Sequence, residues 1–356
     1  MGKRAIAAFV SAALCVSMFT GCGSKAEAPT NAPAADKTAK EKTTEAKNEA
    51  KDSGKLVIYN CNTTEWTDPI IKEFEEQTGI KVDIVSGGSG EMFARITSEA
   101  QNPGGDIIWG GTGDAYLKIL DYLQPYESSE KADIMDDFLV KDDYYYNYVL
   151  DPYVIAYNTN IVSEADAPTS WADLLDEKWK GKISLADPSA SSSTFVALSI
   201  MLKELNGDMD MLHSLVTNLD GKLQDGSSAQ MKALDNGEYA ISCCYEEAAL
   251  KYVGNGSNMK VIYPSEGTML GTGGIGIIKG GPNLENAQKF IDFALSKEVC
   301  DTLATYYRRT TRKDADTSAN ELLVPLSEIK YTPYDFQWSM DNKADFLENF
   351  RDFVTE

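Results

Sequence analysis

The sequence is short of the residues on which many enzyme active sites depend. Its 356 residues include a single histidine, His213, and contain neither a G-x-S-x-G nor an H-E-x-x-H sequence. His213 stands among Met211, Leu212, Leu215 and Val216 in a helical pattern, so we expect it to be a partly buried packing residue. These absences argue against serine-hydrolase and zinc-protease chemistry. Acidic residues are numerous, so a glycosidase-like carboxylate pair, and with it a secreted hydrolase, stays open as an alternative.

Basic residues and paired cysteines are also scarce. The formal net charge is −22, which argues against nucleic acid and anionic lipid as partners because a field of this sign repels polyanions. The cysteines include no C-x-x-C pair, and a bridge between the adjacent Cys243 and Cys244 would be strained. We expect buried thiols in the folded part, with an unpredictable long-range disulfide left open, at Cys61, Cys243, Cys244 and Cys300.

Long apolar runs are limited to the N-terminal segment. Residues 1–21 combine two basic residues with an apolar stretch from Ala5 to Phe19, too short to span a bilayer and typical of a signal peptide. The Phe-Thr-Gly-Cys sequence that follows resembles a lipobox, which implies lipid modification of Cys22. Residues 22–54 are rich in Ala, Lys, Glu, Thr and Pro and lack aromatic residues. Such a segment buries too little surface to fold, so we expect a disordered tether.

Strand and helix patterns alternate from residue 55 onward, which predicts an α/β fold with mostly parallel sheets flanked by helices. The remaining chain of about 300 residues exceeds one compact core, so we expect two lobes. Extended runs near residues 151–158 and 270 are predicted to cross between them. The predicted first lobe comprises residues 55–150 with 271–314, and the second comprises 151–270 with 315–356.

Two neighbouring strand patterns in the first lobe end in small residues. The run at 82–85 is followed by SGGSG at 86–90 and then a helical pattern, and the strand at 106–109 ends in GGTG at 110–113. Because the carboxyl ends of parallel strands meet at one edge of a sheet, these turns predict a binding crevice. Glycine lets the backbone approach a ligand, and the amides of a first helical turn favour an anion. The glycine order matches neither a dinucleotide signature nor a P-loop.

The second lobe contains a hydroxyl-rich segment at 189–194, directly before a helical pattern that begins at Phe195. We expect these hydroxyls at a helix N-cap that faces the crevice, although they could simply cap the helix. Tyr245 is a further donor, and Glu246 and Glu266 are acceptors for an ammonium or for sugar hydroxyls. The candidate ligand-binding residues are Thr63, Ser89, Gly90, Gly111, Thr112, Ser191, Ser192, Ser193, Thr194, Tyr245, Glu246, Glu266 and Thr268.

Several segments resemble the family 1 solute-binding proteins of ABC importers, in the branch of ferric-iron, phosphonate and sugar-phosphate binders. The resemblance starts at LVIY (56–59), includes FEEQTGIKV (74–82) and both glycine-rich turns, and continues almost to the C-terminus. It implies a type II periplasmic-binding-protein fold, in which two hinge strands join the lobes and hinge closure captures a small solute. It further implies a monomeric, extracytoplasmic receptor that is lipid-anchored to the membrane, delivers solute to a permease, and has neither enzymatic activity nor a cofactor.

The resemblance also bears on the ligand. Ferric-binding members hold iron with two adjacent tyrosines, a histidine and a glutamate, which are the anionic oxygen donors and imidazole that suit Fe(III). Here the tyrosine pair falls on Tyr245 and Glu246, the histidine near Thr63 or Thr64, and the glutamate on Gly111. No metal site is therefore expected. An anionic organic phosphate or phosphonate is the predicted solute, with ferric iron or a polyamine as alternatives.

Overall fold

The structure, a computed structural model, describes residues 54–207 and 209–355, without the side chain of Asp114. The predicted signal peptide, Cys22 and all of the predicted tether except Gly54 lie outside these residues. Within the described part, no helix is long and apolar enough to cross a bilayer.

Strands and helices alternate along the described chain. The strands are β1 (Lys55–Asn60), β2 (Lys81–Ser86), β3 (Ile107–Thr112), β4 (Leu123–Gln124), β5 (Tyr146–Asn158), β6 (Ile183–Ser184), β7 (Ile241–Tyr245), β8 (Met259–Ile262), β9 (Thr268–Ile278), β10 (Arg309–Thr310) and β11 (Tyr331–Pro333). The helices are α1 (Thr64–Thr78), α2 (Ser89–Ser98), α3 (Gly113–Leu117), α4 (Ser192–Glu204), α5 (Met209–Leu219), α6 (Ser227–Asp235), α7 (Glu246–Gly254), α8 (Leu284–Leu295), α9 (Lys297–Thr305) and α10 (Phe336–Thr355).

The strands are hydrogen-bonded into a sheet whose main path is β2-β1-β3-β9-β5-β7-β6. Parallel pairing joins β1 to β2 and β3 at one end, and β6 to β7 at the other. The long strands β5 and β9 between them run antiparallel to each other and to their neighbours β3 and β7. The predicted α/β fold is confirmed, and the βαβ units lie at the two ends of the sheet.

Strand β5 changes neighbour in its middle. Asp151 pairs with Gly271 of β9, whereas Tyr153 pairs with Tyr245 of β7. Pro152 lies between them and has no N–H to donate, which suits the point where one hydrogen-bonded ladder gives way to another. The strand thus passes from the β1–β3 end of the sheet to the β6–β8 end, and it does so near residue 151.

Each end of the sheet has its own hydrophobic core. At the β1–β3 end, the buried ring of Trp109 packs edge-on against Trp66 and Phe290, with ring centroids 5.2 Å apart in each pair. At the β6–β8 end, Phe195 of α4 packs edge-on against Phe346 of α10 at 5.3 Å. Burial of such rings is the main contribution to folding, and edge-on geometry adds to it.

The prediction of buried thiols is confirmed for three of the four cysteines among the described residues. Cys243, Cys244 and Cys300 are buried free thiols, and Cys61 is a half-buried one, so no disulfide joins them. His213 is half-buried on α5, with its ring 4.8 Å from that of Phe353, as expected for a packing residue.

Local contacts override periodicity at several places. The pattern predicts a helix after Pro69, but α1 begins at Thr64 and contains the proline as its sixth residue, where its missing N–H removes one backbone hydrogen bond. The apolar pattern at 171–179 predicts one helix, but the chain forms two 3₁₀ helices, Ala172–Leu175 and Glu177–Trp179. Asp176 separates them, because it is extended and its carboxylate accepts from the Lys178 N–H.

A further difference changes a predicted site residue. The sequence pattern suggests a strand that runs to a polar tip at Glu246, but β7 ends at Tyr245 and Glu246 begins α7. Beyond residue 322, where the pattern suggests several helices, the described chain forms a 3₁₀ turn, β11 and the single long helix α10. Helix α10 packs against α5, so its position is fixed by the core at the β6–β8 end.

Candidate functional site

A cavity of about 730 Å³ lies where β5 and β9 cross between the two ends of the sheet, and this volume is in the range of small-molecule sites. Residues from α2, α3, α4 and α10 surround it, and residues of β5, β7 and β9 form its floor. The lining residues are Ser89, Gly90, Phe93, Ala94, Thr97, Thr112, Ala115, Lys118, Ile119, Asp151, Tyr153, Ser192, Phe195, Val196, Tyr245, Gly271, Thr272, Tyr334, Phe336, Ser339, Met340 and Lys343.

The first turn of α2 faces this cavity. Ser89 and Gly90 line it, and the N-cap residue Gly88 has no side chain to accept from the amides of the turn. Met92 and Phe93 are buried and hold the helix in place. The amides at the start of α2 are therefore directed at the cavity, where they and the helix dipole favour negative charge.

Gly111 allows this approach. It lies at the end of β3 with φ +86, and a Cβ built there would lie 2.7 Å from the Phe93 ring and 3.6 Å from Ser89 Cβ. Glycine is therefore required at position 111 for two reasons: the backbone is left-handed there, and α2 packs closely against β3. Gly111 supports the site from behind α2, while the neighbouring Thr112 lines the cavity itself.

The start of α4 faces the cavity from the other side. Ser192 is exposed and lines the cavity. Ser191 is the N-cap residue, because its hydroxyl accepts from the Thr194 N–H at 3.3 Å. The Thr194 hydroxyl is 1% exposed and lies 3.0 Å from the Ser191 hydroxyl and 3.2 Å from the Gln230 side-chain oxygen. Of these three residues only Ser192 lines the cavity. Ser191 and Thr194 take part in the cap of α4, which is the simpler of the two roles predicted for this segment, capping or ligand contact.

The floor of the cavity is polar. Asp151 of β5 has a side chain that is 24% exposed, with Arg308 3.8 Å away. Burial raises the pKa of Asp151 to about 6, and Glu247 and Glu246 add to the rise, whereas Arg308 opposes it. Tyr153 and Tyr245 lie side by side, with ring centroids 4.4 Å apart, and burial raises the pKa of both phenols.

Two lysines bring positive charge to the cavity. Lys118, just after α3, lines it on the α2 side, and Lys343 of α10 lines it on the α4 side. Lys343 has no carboxylate partner among the described residues, and its ammonium lies 4.8 Å from the centroid of the Phe195 ring. Neither lysine is among the residues predicted from the sequence, because no local pattern indicates that α10 covers the cavity.

Glu246 and Glu266 do not line the cavity, contrary to the prediction that they contact ligand. Glu246 is 1% exposed, and both its oxygens accept from Arg309 at 2.8 Å. Tyr263 donates a further hydrogen bond to it. Glu266 accepts from the backbone N–H groups of Trp171 and Ala172 at 3.1 and 3.0 Å, so it caps a 3₁₀ helix. Both carboxylates already have protein donors.

Three other predicted residues also lie elsewhere. Thr63 is the exposed N-cap residue of α1, and Thr268 is buried and donates to the Tyr153 carbonyl at 2.8 Å. Ser193 lines a second cavity of about 220 Å³, which shares Tyr245 with the first. The structure therefore brings together Ser89, Gly90, Thr112, Ser192 and Tyr245 of the predicted set.

By the resemblance, three of the four positions that carry metal ligands in ferric-binding proteins have other residue types here, and Tyr245 is the one that matches. Within residues 54–207 and 209–355, no three His, Cys, Asp or Glu side chains lie close enough together to hold a metal ion.

The family model for bacterial extracellular solute-binding proteins matches residues 69–321. The chain belongs to this family. The resemblance based on LVIY (56–59), FEEQTGIKV (74–82) and the glycine-rich turns is thereby confirmed. Members of this family are substrate-binding components of ABC importers, so the protein is a solute-binding protein of that extracytoplasmic class.

Other solute-binding proteins resemble it over most of their length. The periplasmic binding protein AfuA from Actinobacillus pleuropneumoniae, solved with fructose-6-phosphate bound, superimposes with a TM-score of 0.71 at 28% identity and covers 85% of this chain and 98% of that one. A putative 2-aminoethylphosphonate-binding periplasmic protein of Salmonella typhi is 27% identical over 248 residues, which are 66% of this chain and 70% of the relative. An Fe(3+)-binding periplasmic protein of Serratia marcescens is 23% identical over 283 residues, which are 77% of this chain and 83% of the relative.

These similarities confirm the predicted type II periplasmic-binding-protein fold for this solute-binding protein. The cavity lies between the β1–β3 end and the β6–β8 end of the sheet. The relatives are transport proteins rather than enzymes. The ligands for which they are named differ, so the family alone does not select a solute.

Proposed function

We propose that this protein is the lipid-anchored receptor of an ABC importer for a small organic solute with a phosphate or phosphonate group. The observation that carries the proposal is the meeting of two helix N-termini, α2 and α4, with Lys118 and Lys343 at one cavity. Backbone amides at helix starts and ammonium groups are the donors that bind such oxygens. The lipid anchor is proposed at Cys22 on sequence grounds.

The apolar part of the cavity supports an organic solute. Phe93, Ile119, Phe195 and Phe336 line it beside the polar groups. A bare inorganic ion would leave these surfaces in water, whereas a sugar ring or an alkyl chain would cover them. The relatives named for fructose-6-phosphate and 2-aminoethylphosphonate have ligands of this kind.

Ferric iron remains the second candidate because of one observation. Tyr153 and Tyr245 are adjacent at the floor, beside the carboxylate of Asp151. These are hard oxygen donors of the type that Fe(III) prefers. Against iron, burial raises the pKa of both tyrosines and so disfavours the phenolate that would bind it.

Hinge closure is proposed as the mechanism, with lobe boundaries at 55–150 with 271–314 and 151–270 with 315–356. The pairing of Asp151 with Gly271 on the two crossing strands supports these boundaries. A few residues in such strands can absorb the rotation of two lobes about a ligand. The closed form would then be recognised by a membrane permease.

Titration calorimetry of the purified protein with fructose-6-phosphate, 2-aminoethylphosphonate, Fe(III) and spermidine tests the proposal. We expect one of the two phosphorus compounds to bind most tightly and, in a separate urea denaturation at a hundredfold excess over Kd, to raise the free energy of unfolding by about 2.7 kcal/mol. Tightest binding of iron, lost in Tyr245→Phe, would replace the proposed solute with the second candidate. Hydrolysis of the sugar phosphate during the titration would instead favour the hydrolase alternative.

Charge reversal at the cavity should weaken binding of the phosphorus compound. Lys343→Glu is expected to lower its affinity on the order of tenfold, since an attractive ammonium becomes a repulsive carboxylate beside the anion. Lys180→Glu is the matched control, because Lys180 is exposed, lies outside the cavity and changes the net charge equally. Equal losses in the two variants would mean that only the long-range field acts, and would remove Lys343 from the proposed site.

A further inference from the structure

The floor of the cavity contains two hydroxyls that the protein satisfies incompletely, those of Tyr153 and Thr272. The Tyr153 hydroxyl belongs to a side chain that is 0% exposed, and the Thr272 hydroxyl to one that is 4% exposed. Both residues line the cavity, and neither hydroxyl has a partner in hydrogen-bond geometry among the described residues. Buried polar atoms in native proteins are almost always paired, so both hydroxyls are available to a ligand in the cavity, with the Tyr245 phenol as the neighbour of Tyr153.

Asp151 lies in the same floor and also lacks a close donor. No hydrogen bond to its carboxylate is formed within the described part of the chain, and its nearest cation is Arg308 at 3.8 Å. Arg308 is closer to Glu247, at 3.4 Å, and donates a hydrogen bond to it. The Asp151 carboxylate is therefore a strong acceptor that lines the cavity and is only partly neutralised by the protein.

The charges around Asp151 do not balance. Glu246 and Arg309 form a two-bond pair with both distances at 2.8 Å, so they neutralise each other. Arg308 alone then faces both Asp151 and Glu247. One negative charge is left in excess beside a half-buried carboxylate. Consistent with this, burial and the neighbouring carboxylates together raise the pKa of Asp151 to about 6 despite Arg308. Added positive charge would stabilise the ionised site.

We propose that Asp151 binds the ammonium group of a zwitterionic solute, whose phosphonate or phosphate group is held at the starts of α2 and α4. Tyr153 and Thr272 complete the polar floor around that ammonium as acceptors. This inference rests on the proposed function and narrows it to amino-bearing phosphorus compounds. Asp151 takes the role that the sequence had suggested for Glu246 and Glu266, whose carboxylates are already bonded within the protein.

The test compares two ligands that differ only in the amine. We expect 2-aminoethylphosphonate to bind at least tenfold more tightly than ethylphosphonate at pH 7.5, by calorimetry on the full chain. In Asp151→Asn the preference should fall to within about twofold, while ethylphosphonate binds as well as before or better, since a negative charge has been removed from its vicinity. Asp151→Glu keeps the carboxylate and should keep most of the preference. Asp68→Asn, an exposed position on α1 outside the cavity, is the charge-matched control and should change nothing.

The affinity ratio of the two phosphonates should also depend on pH. Asp151 is about one-tenth ionised at pH 5 and about nine-tenths ionised at pH 7 if its pKa is about 6. The ratio should therefore rise more steeply over this interval in the unmodified protein than in Asp151→Asn. The ammonium lowers the second pKa of the phosphonate that carries it, so the ligands add a pH dependence of their own, but this contribution is the same in both proteins and the difference between them reports Asp151. The charged and titratable groups that face Asp151 from neighbouring elements are Arg308, Glu246, Glu247 and Tyr245, together with Lys118 and Lys343 across the cavity.

The outcomes separate this inference from the proposed function. Equal binding of the two phosphonates, or tighter binding of fructose-6-phosphate than of both, would overturn the ammonium site and leave an anionic solute. Equal loss of both phosphonates in Asp151→Asn would assign the residue a purely structural role and would also overturn it. Binding of iron or spermidine with no phosphorus compound bound would remove the proposed function itself. A thermal melt of each variant shows whether it is folded before its affinities are compared.

Discussion

Replacement of Glu246 by glutamine is expected to lower the free energy of unfolding by about 3–5 kcal/mol. Arg309 is 2% exposed and directs two N–H groups at the Glu246 oxygens, each at 2.8 Å. Glutamine would leave the guanidinium charge buried without its counter-charge and would turn an NH₂ donor toward an N–H donor. Urea denaturation monitored by circular dichroism measures the change, with an unchanged slope indicating the same cooperative transition.

Two further variants isolate the cause. Glu76→Gln breaks the exposed pair of Glu76 with Lys72, whose side chains are 66% and 75% exposed, and should cost no more than about 0.5 kcal/mol. Combining Glu246→Leu with Arg309→Met removes both charges, and should recover much of the loss because a buried pair can often be replaced by apolar residues. If Glu246→Gln costs no more than Glu76→Gln, the pair is not an essential part of the α7–β10 contact.

The sequence predicts those parts of the fold that depend on local patterns. The strand β1, the glycine-rich turns and the start of α4 are each encoded within about ten residues, so periodicity and capping rules identify them. The break between the two 3₁₀ helices at Asp176 depends on one side chain, which accepts from the Lys178 N–H. The start of α1 at Thr64 depends on the helix accommodating Pro69 in its interior. Helix propensity predicts neither of these two features.

The site is less completely predictable because its chemistry comes from distant segments. Ser89 and Ser192 are found through their positions at helix starts, and the structure brings both to one cavity. Asp151 is recognisable from sequence only as part of a crossing strand, and Lys343 lies on a helix whose packing against α5 brings it to the cavity. The sequence does not reveal that Glu246 lies outside the cavity, because Arg309, its partner, is 63 residues away in the sequence. A single sequence does not show which of many carboxylates is already paired.

Replacement of Gly111 by alanine is expected to lower the free energy of unfolding by about 2–4 kcal/mol and to weaken solute binding at least tenfold. Two costs combine at this residue. Its φ of +86 is unfavourable for any side chain, and a Cβ would lie 2.7 Å from the ring of Phe93. Phe93 is buried and packs edge-on against Tyr116 at 5.1 Å, so it cannot turn away freely. Relief of the contact requires α2 to shift, which moves the amides of Ser89 and Gly90 away from the solute.

Comparison with Gly221→Ala separates backbone strain from the contact with α2. Gly221 has a φ of +68, and a Cβ at this position would have no atom within 4 Å, so alanine there should cost only about 1 kcal/mol and leave solute affinity unchanged. The difference between the two variants, measured by urea denaturation and calorimetry, reports the close packing of α2 on β3. If Gly111→Ala lost only as much stability as Gly221→Ala and kept full solute affinity, the position of α2 would not be what holds the anion. In that case Lys118, Lys343 and the start of α4 would have to bind it without the α2 amides.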